Sequence, residues 1–498
     1  MHHPDTYDIA IIGGGINGAG IARDAAGRGL KVLLCEQGDL AEGTSSRSGK
    51  LVHGGLRYLE YFEFRLVREA LVEREVLLKS APHIIWPLRF VLPHSPEQRP
   101  EWLVRLGLLL YDNLGGRKRL LGTRRLDLRT APEGVPIRPE FRSAFEYSDC
   151  WVDDARLVVL NALDAKAKGA TILTRMAVAG ARRDGDTWLL DLRGTGGDAM
   201  TARADTLVNA AGPWVEDVLG RVAGVNARRS VRLVKGSHLV VRKFWAGPQA
   251  YLLQHTDKRV IFVNPYETDK CLIGTTDIPY TGRPETVAAG DDEIDYLLGV
   301  VNRYTRRTLT RADVLSTFSG VRPLLDDKAG NPSAVTRDYT FDIEDAGGKA
   351  PLLSIFGGKI TTYRKLAEHA MNKLRPYLAA PGRPWTATAP LPGGDLEDAD
   401  FERFAAQFGS RHPWLPPALA FHYARLYGTR AERMVDGAHR LADLGTAFSE
   451  QFYSREAEFL IAEEWAATDE DILKRRTKHG LHLTPHETRA FQDWMAAR

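Results

Sequence analysis

The sequence predicts an α/β fold followed by an all-α C-terminal domain. Three observations carry this: a strand–glycine turn–helix–strand unit in the first forty residues, strand-like apolar runs through the middle of the chain, and helical patterning beyond about residue 395. The chain has 498 residues, 44% hydrophobic and 26% charged, which are globular values. A net charge of +3, from 67 basic and 64 acidic residues, is too balanced for nucleic acid as the main partner. Three well-separated cysteines, Cys35, Cys150 and Cys271, offer no disulfide framework and no zinc spacing, and they fit a reducing compartment. No apolar run reaches the ~18 residues that span a bilayer. The N-terminus lacks signal-peptide features, so a cytoplasmic or peripheral membrane protein is expected.

Tyr7 to Ile12 reads as a buried strand. Gly13-Gly14-Gly15-Ile16-Asn17-Gly18 follows, and then a helix with Gly18, Ile21, Ala22 and Ala25 on one face. Lys31 to Cys35 is a second strand, ending at Glu36. Gly13 permits the tight turn, Gly15 lets a pyrophosphate approach the backbone, and Gly18 lets helix pack on strand. The helix N-terminus presents free N–H groups to phosphates. Glu36 is placed to accept both ribose hydroxyls and would repel a 2′-phosphate, so the unit predicts FAD or NAD rather than NADP.

The next segment favours the longer cofactor. In Gly43-Thr44-Ser45-Ser46-Arg47-Ser48, hydroxyls surround one arginine, suited to further phosphate and ribitol oxygens. Asp205 to Ala211 reads as a strand entering Gly212-Pro213-Trp214, with Ala211 and Gly212 placed to bring backbone against the cofactor. Ser354-Ile355-Phe356-Gly357-Gly358-Lys359 leads into a helix beginning near Thr361 or Thr362. A helix N-terminus there, with Gly358 allowing close approach and Lys359 adding charge, would stabilise negative charge on a reduced flavin.

These segments, with His53-Gly54-Gly55-Leu56-Arg57-Tyr58-Leu59, Lys235-Gly236-Ser237-His238, Gly274-Thr275-Thr276-Asp277, Ser319-Gly320-Val321-Arg322-Pro323, Thr336-Arg337-Asp338-Tyr339 and Phe356 to Arg364, resemble the aerobic, FAD-dependent glycerol-3-phosphate dehydrogenases across nearly the whole chain. The resemblance implies a Rossmann-like FAD-binding domain of the glutathione-reductase/D-amino-acid-oxidase type, interleaved with a mixed-sheet substrate domain. It implies oxidation of sn-glycerol 3-phosphate to dihydroxyacetone phosphate, with electrons passed through FAD to membrane quinone, or to oxygen in some members. It also implies a peripheral position on the inner face of the membrane; a homodimer is compatible with it.

A phosphate dianion calls for several fixed cations, preferably arginines. The anion-binding candidates are Arg57, Arg322, Arg337, Lys359 and Arg364, with Tyr58 beside them; Arg322 and Arg337 are held foremost for the phosphate, and Arg364 for phosphate or flavin. The candidate bases are His53, a desolvated Lys359 and His238, with Asp277 to orient a cation. No metal is expected, because FAD carries the redox step. Three alternatives remain: a glycerol-3-phosphate oxidase using oxygen, an amino-acid or hydroxy-acid oxidase, and a non-enzymatic FAD-bound protein.

In this reading the FAD-binding pieces lie at about 1–49, 150–215 and 312–375, and the substrate-side pieces at about 50–149 and 216–311. Residues 376–394, rich in proline and glycine, form a linker before the helical domain at 395–498. Thr468 with Asp471 is a capping-box pattern. Trp102 to Tyr111, apolar and followed by Arg117-Lys118-Arg119 and Arg124-Arg125, reads as a core helix with a basic loop or as a membrane-surface element; the resemblance favours the latter, within residues 84–125.

Overall fold

The structure, a computed structural model, describes residues 5–95, 97–116, 119–225, 229–257, 259–325 and 338–498. Arg337 and Thr336 lie outside the described residues, as do Arg117 and Lys118.

β1 (Asp5–Ile12), α1 (Ile16–Gly27) and β2 (Val32–Cys35) form the expected unit. β1 lies between β2 and the strand Ala199–Asn209, parallel to both. That strand pairs in parallel with Leu352–Phe356, and β2 with Thr171–Leu173. β1 and β2 are largely buried on both faces and read as near-continuous apolar runs, which is why they were legible, whereas Thr171–Leu173, short and half-exposed, was not. The strand expected at Asp205–Ala211 starts earlier and ends at Asn209, because Ala210 and Ala211 turn the chain past Gly13. α1 packs against the helices Asp154–Ala167 and Tyr363–Leu374. A Cβ at Gly20 would come within 2.7 Å of the Tyr363 ring, so only glycine admits that ring.

The second sheet has ten strands and is mixed. Ile85–His94 pairs antiparallel with Ser143–Val152 and parallel with Ala250–Gln254. Val231–Arg242 runs antiparallel to Val314–Leu325, setting Val234 opposite Arg322, Gly236 opposite Gly320 and His238 opposite Phe318. The segments of the two sheets alternate along the chain. All three cysteines are buried thiols: Cys35 in the first sheet, Cys150 and Cys271 in the second.

Residues 376–394 contain no α-helix or strand, yet they are packed. The Trp385 ring lies against Gly27, and Arg23 donates to the carbonyls of Ala389 and Pro390. Beyond them the chain is helical apart from a two-stranded ribbon, Ala447–Ser449 with Phe452–Tyr453. It has its own aromatic-rich core, including Phe408, Tyr423, Phe452 and Phe491. Thr468 and Asp471 exchange both bonds of a capping box. The turn they open, Asp471–Arg476, is a π-helix. No helix among the described residues is long and apolar enough to cross a membrane.

Trp102 to Tyr111 lies within the helix Glu101–Leu114, in which only Leu108 and Tyr111 are buried. It is not a core helix: Trp102 is 67% and Leu109 59% exposed. It packs against the turn Leu56–Tyr61, next to which Phe62 is 78% exposed.

Candidate functional site: a dinucleotide cradle with a cationic edge

The glycine turn is shaped by its neighbours. Gly13 has φ +110°, a left-handed conformation that L side chains avoid, and a Cβ there would lie 2.7 Å from the Ala210 carbonyl oxygen. A Cβ at Gly18 would lie 1.9 Å from the Gly13 carbonyl oxygen, so that position closes helix onto strand. Gly15 differs: a Cβ there would meet only the Ser45 Oγ, at 3.1 Å. The space beside it is room for a ligand rather than for packing, as a pyrophosphate cradle requires.

Glu36 accepts from the backbone N–H of Gly14 at 2.6 Å and of Gly38 at 2.8 Å. Burial pushes its carboxyl up, and these two bonds oppose the shift. The carboxylate therefore sits at the end of β2, bridging the glycine turn and the next loop, where a ribose would lie.

The hydroxyls of residues 44–48 largely fasten the loop. Thr44 donates to the Val321 carbonyl at 2.7 Å, and Ser45 Oγ accepts from the Ile16 N–H at 3.0 Å. Ser48 Oγ donates to Asp154 at 2.8 Å, and Arg47 donates to the Ser319 carbonyl. Ser46 offers its carbonyl to Lys50, which also pairs with Asp154 at 2.7 Å. These bonds fix the loop that faces the cradle, and Ser45, which accepts from Ile16, keeps its own hydroxyl proton to donate. Asp154 was not foreseen; the pair Asp153-Asp154 ahead of an apolar helical run was its signal.

The Gly357–Thr362 segment closes the cradle. Asn17 donates to the Gly357 carbonyl at 3.3 Å, tying α1 to it. Gly358 has φ +100° and is exposed. The helix expected near Thr361 begins as the 3-10 turn Ile360–Thr362 and becomes α-helical at Tyr363, because Lys359 is extended. Thr361 Oγ1 accepts from the His53 N–H at 3.2 Å, and the Lys359 ammonium lies 3.8 Å over the Tyr58 ring.

From there the contacts run to Arg322. The His53 ring meets Phe262 edge-on at 6.0 Å. Phe262 pairs with Gly274 across the sheet, and the next residue, Thr275, accepts from Arg322 at 3.1 Å. Arg322 also forms an ion pair with Asp277, which orients the guanidinium. Arg57 is half-buried one residue before Tyr58, with Tyr61 at 3.5 Å.

Two candidates stand elsewhere. Arg364 is buried and bound bidentately by Glu73, at 2.7 and 2.5 Å, with Glu368 and Thr386 on its other nitrogen. Its donors are consumed in packing, which corrects its assignment to phosphate or flavin. His238 is buried and stacked on Phe318, and neither ring nitrogen has a hydrogen-bond partner among the described residues. Burial, aided by the positive charges of Arg322 and Lys50, holds its pKa down to about 3. A neutral imidazole of that basicity is a poor general base near neutral pH. In the C-terminal domain the fold also gathers His422, Glu456 and His479, with ligand-capable atoms within 4.8 Å of one another. Each carboxylate oxygen of Glu456 is taken by one of these histidines, at 2.9 and 3.0 Å, and the Tyr427 hydroxyl donates to one of them. This cluster was invisible in the spacing along the chain, and hydrogen bonding accounts for it.

A glycine cradle fitted for pyrophosphate, an acidic strand end and a second sheet joined to the cradle loop through Thr44 and Arg47 define a flavin-dependent oxidoreductase. Residues 8–364 match the profile of FAD dependent oxidoreductases, and the chain belongs to that family. Residues 384–496 match the C-terminal domain of alpha-glycerophosphate oxidase. The chain is 62% identical over 495 residues to D-erythritol 1-phosphate dehydrogenase of Brucella abortus (strain 2308), covering 99% of this chain and 98% of that one. It is 50% identical over 492 residues to the aerobic glycerol-3-phosphate dehydrogenase of Escherichia coli (strain K12), covering 99% and 97%. Its fold matches the crystal structure of the glycerol-3-phosphate dehydrogenase from Bacillus halodurans complexed with FAD, with a TM-score of 0.74 at 26% identity, over 99% of this chain and 94% of that one. FAD is the cofactor that the cradle fits.

Proposed function

We propose that this chain oxidises sn-glycerol 3-phosphate to dihydroxyacetone phosphate and delivers the electrons to membrane quinone. The observation that carries this reading is the unbroken run of contacts from the FAD cradle to a cationic edge formed by Lys359, Tyr58, His53 and Arg322. FAD, when bound, supplies the acceptor for the hydride leaving C2. The chain's residues bind, orient and move a proton. Arg322, held by Asp277 and Thr275, takes the phosphate dianion together with Arg57; Arg337 belongs to the same proposal. Lys359, stacked on Tyr58, neutralises charge at the reacting end. His53 accepts the hydroxyl proton.

The quinone belongs to the same reading. The helix Glu101–Leu114 and the turn beside Phe62 offer an apolar surface that suits a bilayer with anionic headgroups, flanked by the exposed Arg105 and by Arg124 and Arg125, which are paired with Glu146, Glu133 and Glu101 but remain exposed. We place the chain there, at the inner face of the membrane.

A second reading concerns the substrate alone. The 62% identity to D-erythritol 1-phosphate dehydrogenase exceeds the 50% to the aerobic glycerol-3-phosphate dehydrogenase. A four-carbon polyol phosphate would meet the same phosphate site, with one more carbon to house. Anaerobic mixing of the yellow holoenzyme with each compound separates them: bleaching of the flavin band by sn-glycerol 3-phosphate at the lower concentration supports the first reading, and preference for D-erythritol 1-phosphate supports the second. Bleaching by neither, but by an amino or hydroxy acid, defeats both. Reoxidation by a soluble quinone much faster than by oxygen supports the quinone assignment.

A further inference from the structure

The function proposed above leaves the C-terminal domain without a task, yet one turn of it grips the cofactor loop. The π-helix Asp471–Arg476 ends in two buried arginines. Arg476 pairs bidentately with Asp39, both contacts at 2.7 Å, and Arg475 Nε reaches Asp39 at 2.6 Å. Asp39 lies three residues beyond Glu36, in the loop that folds back on the glycine turn through the Ala41 N–H to the Gly14 carbonyl. The same π-turn reaches the loop a second way. Asp471 pairs with both Arg475 and Arg175, and the Arg175 backbone N–H donates to the Gly38 carbonyl at 2.8 Å. Arg175 Nη1 also donates to the Trp465 carbonyl.

We propose that the Asp471–Arg476 turn is a latch on the cofactor-binding loop Glu36–Glu42, so that the C-terminal domain sets how fast FAD leaves the protein. The physical argument is one of alternatives. The glycine turn and Glu36 can embrace an adenosine ribose only while the loop lies against Gly14. Leu40 and Ala41 anchor one end of the loop in the core, but the segment around Asp39 has no helix or strand of its own and without a partner would sample open conformations. Here the guanidinium groups of Arg475 and Arg476 hold Asp39 from the far side, braced by Asp471, while Arg175, paired with Asp471, holds Gly38 through its backbone N–H. Opening the loop would strand these charges in a buried site, which opposes the motion. A π-turn widens the helix by one residue and recurs at functional sites; in this one, Arg475 and Arg476 follow each other and both face Asp39. Asp39, Arg175, Arg475 and Arg476 are positioning residues, acting on the cofactor through the loop.

The proposal rests on the FAD cradle and not on the identity of the substrate, and its test uses no substrate. Holoenzyme is diluted and FAD release is followed by the recovery of free-flavin fluorescence. Melting temperatures are measured with and without FAD. Asp39→Asn should speed release by about ten-fold or more, the factor given by ~1.4 kcal/mol of lost loop ordering, and should shrink the stabilisation that FAD confers. Arg175→Lys is milder because it is partly exposed; it keeps the charge, loses the two-sided grip, and should show the same effect in smaller measure. Lys478→Met is the comparison: it breaks the buried pair with Asp153 between the same two parts of the chain without touching the loop. It should lower both melting temperatures and change FAD release by much less than Asp39→Asn does, since Lys478 pairs with Asp153 and not with Asp39. Release unchanged in Arg175→Lys and Asp39→Asn, or accelerated equally in Lys478→Met, overturns the latch and leaves a domain contact only.

Discussion

At the scale of single residues, the glycines of the first turn separate two roles that one motif conflates. A side chain at Gly18 would collide with the Gly13 carbonyl, whereas one at Gly15 meets only a serine hydroxyl. Gly15→Val should therefore yield folded protein that purifies without flavin, and Gly18→Val should yield little folded protein; absorbance and melting curves distinguish them. On the proposed reading Arg322→Ala removes a phosphate contact, and it leaves the backbone carbonyls of Val321 and Ser319 that hold the cradle loop. Loss of a charge-assisted contact of this kind costs about 2–5 kcal/mol. The expected result is KM raised by about thirty-fold or more, by the same arithmetic, with FAD retained; unchanged KM in steady-state kinetics would remove Arg322 from the phosphate site. The cradle glycines and Glu36 were legible because backbone geometry demands those residue types at that spacing. Arg364 was misread because its partners Glu73 and Glu368 carry no motif, and only the fold brings Glu73 to it.

At the scale of elements, buried carboxylates tie the C-terminal helices to the helix Asp154–Ala167. Burial alone would raise the Glu464 carboxyl, but Arg156 and Arg430 outweigh it and hold it at about 2. Glu456 is likewise driven down by His422 and His479 against its burial. A carboxyl depressed in the folded state stabilises the protein above its unfolded pKa, and that contribution is lost as pH falls through the folded value. Melting temperature should thus hold steady above pH ~5 and drop steeply between about 4.5 and 2. Glu464→Gln should flatten that drop while lowering the melting temperature at neutral pH, since two buried guanidiniums lose their charge partner. A calorimetric pH series checks both. The β1–α1–β2 unit and the Thr468–Asp471 cap were readable from periodicity and pairing. The π-turn that the cap opens was not, because its extra residue per turn leaves no signature in apolar spacing.

At the scale of the whole molecule, one face is unlike the rest. Trp102, Leu106, Leu109 and Leu110 stand exposed on one helix, with Phe62 and Phe64 on the neighbouring segment. On a membrane-seated enzyme, Trp102→Glu with Leu109→Glu should abolish sedimentation with anionic vesicles and slow quinone reduction, while leaving anaerobic flavin reduction unaltered. Wild-type binding should weaken as salt rises, because the flanking cations act through screened attraction. Retained sedimentation would move the contact to another face. The alternation of two sheets was legible only in part: Val314–Leu325, expected on the FAD-binding side at 312–375, pairs instead with Val231–Arg242 in the second sheet, because its partner strand carries no motif that marks the pairing. The outward turn of the Glu101–Leu114 helix was not, since an apolar helix facing a core and one facing lipid have the same composition.

The three buried thiols make the molecule its own unfolding gauge. Burial pushes Cys35 up to about 12 and the other two higher still, so in the closed protein none is present as the reactive thiolate. Each can be alkylated only when its surroundings open, and the rate then reads the free energy of that opening. Cys35 immediately precedes Glu36, whereas Cys150 and Cys271 lie in the other sheet. Which cysteine-bearing peptide gains the first adduct therefore tells which sheet breathes first, with no residue replaced.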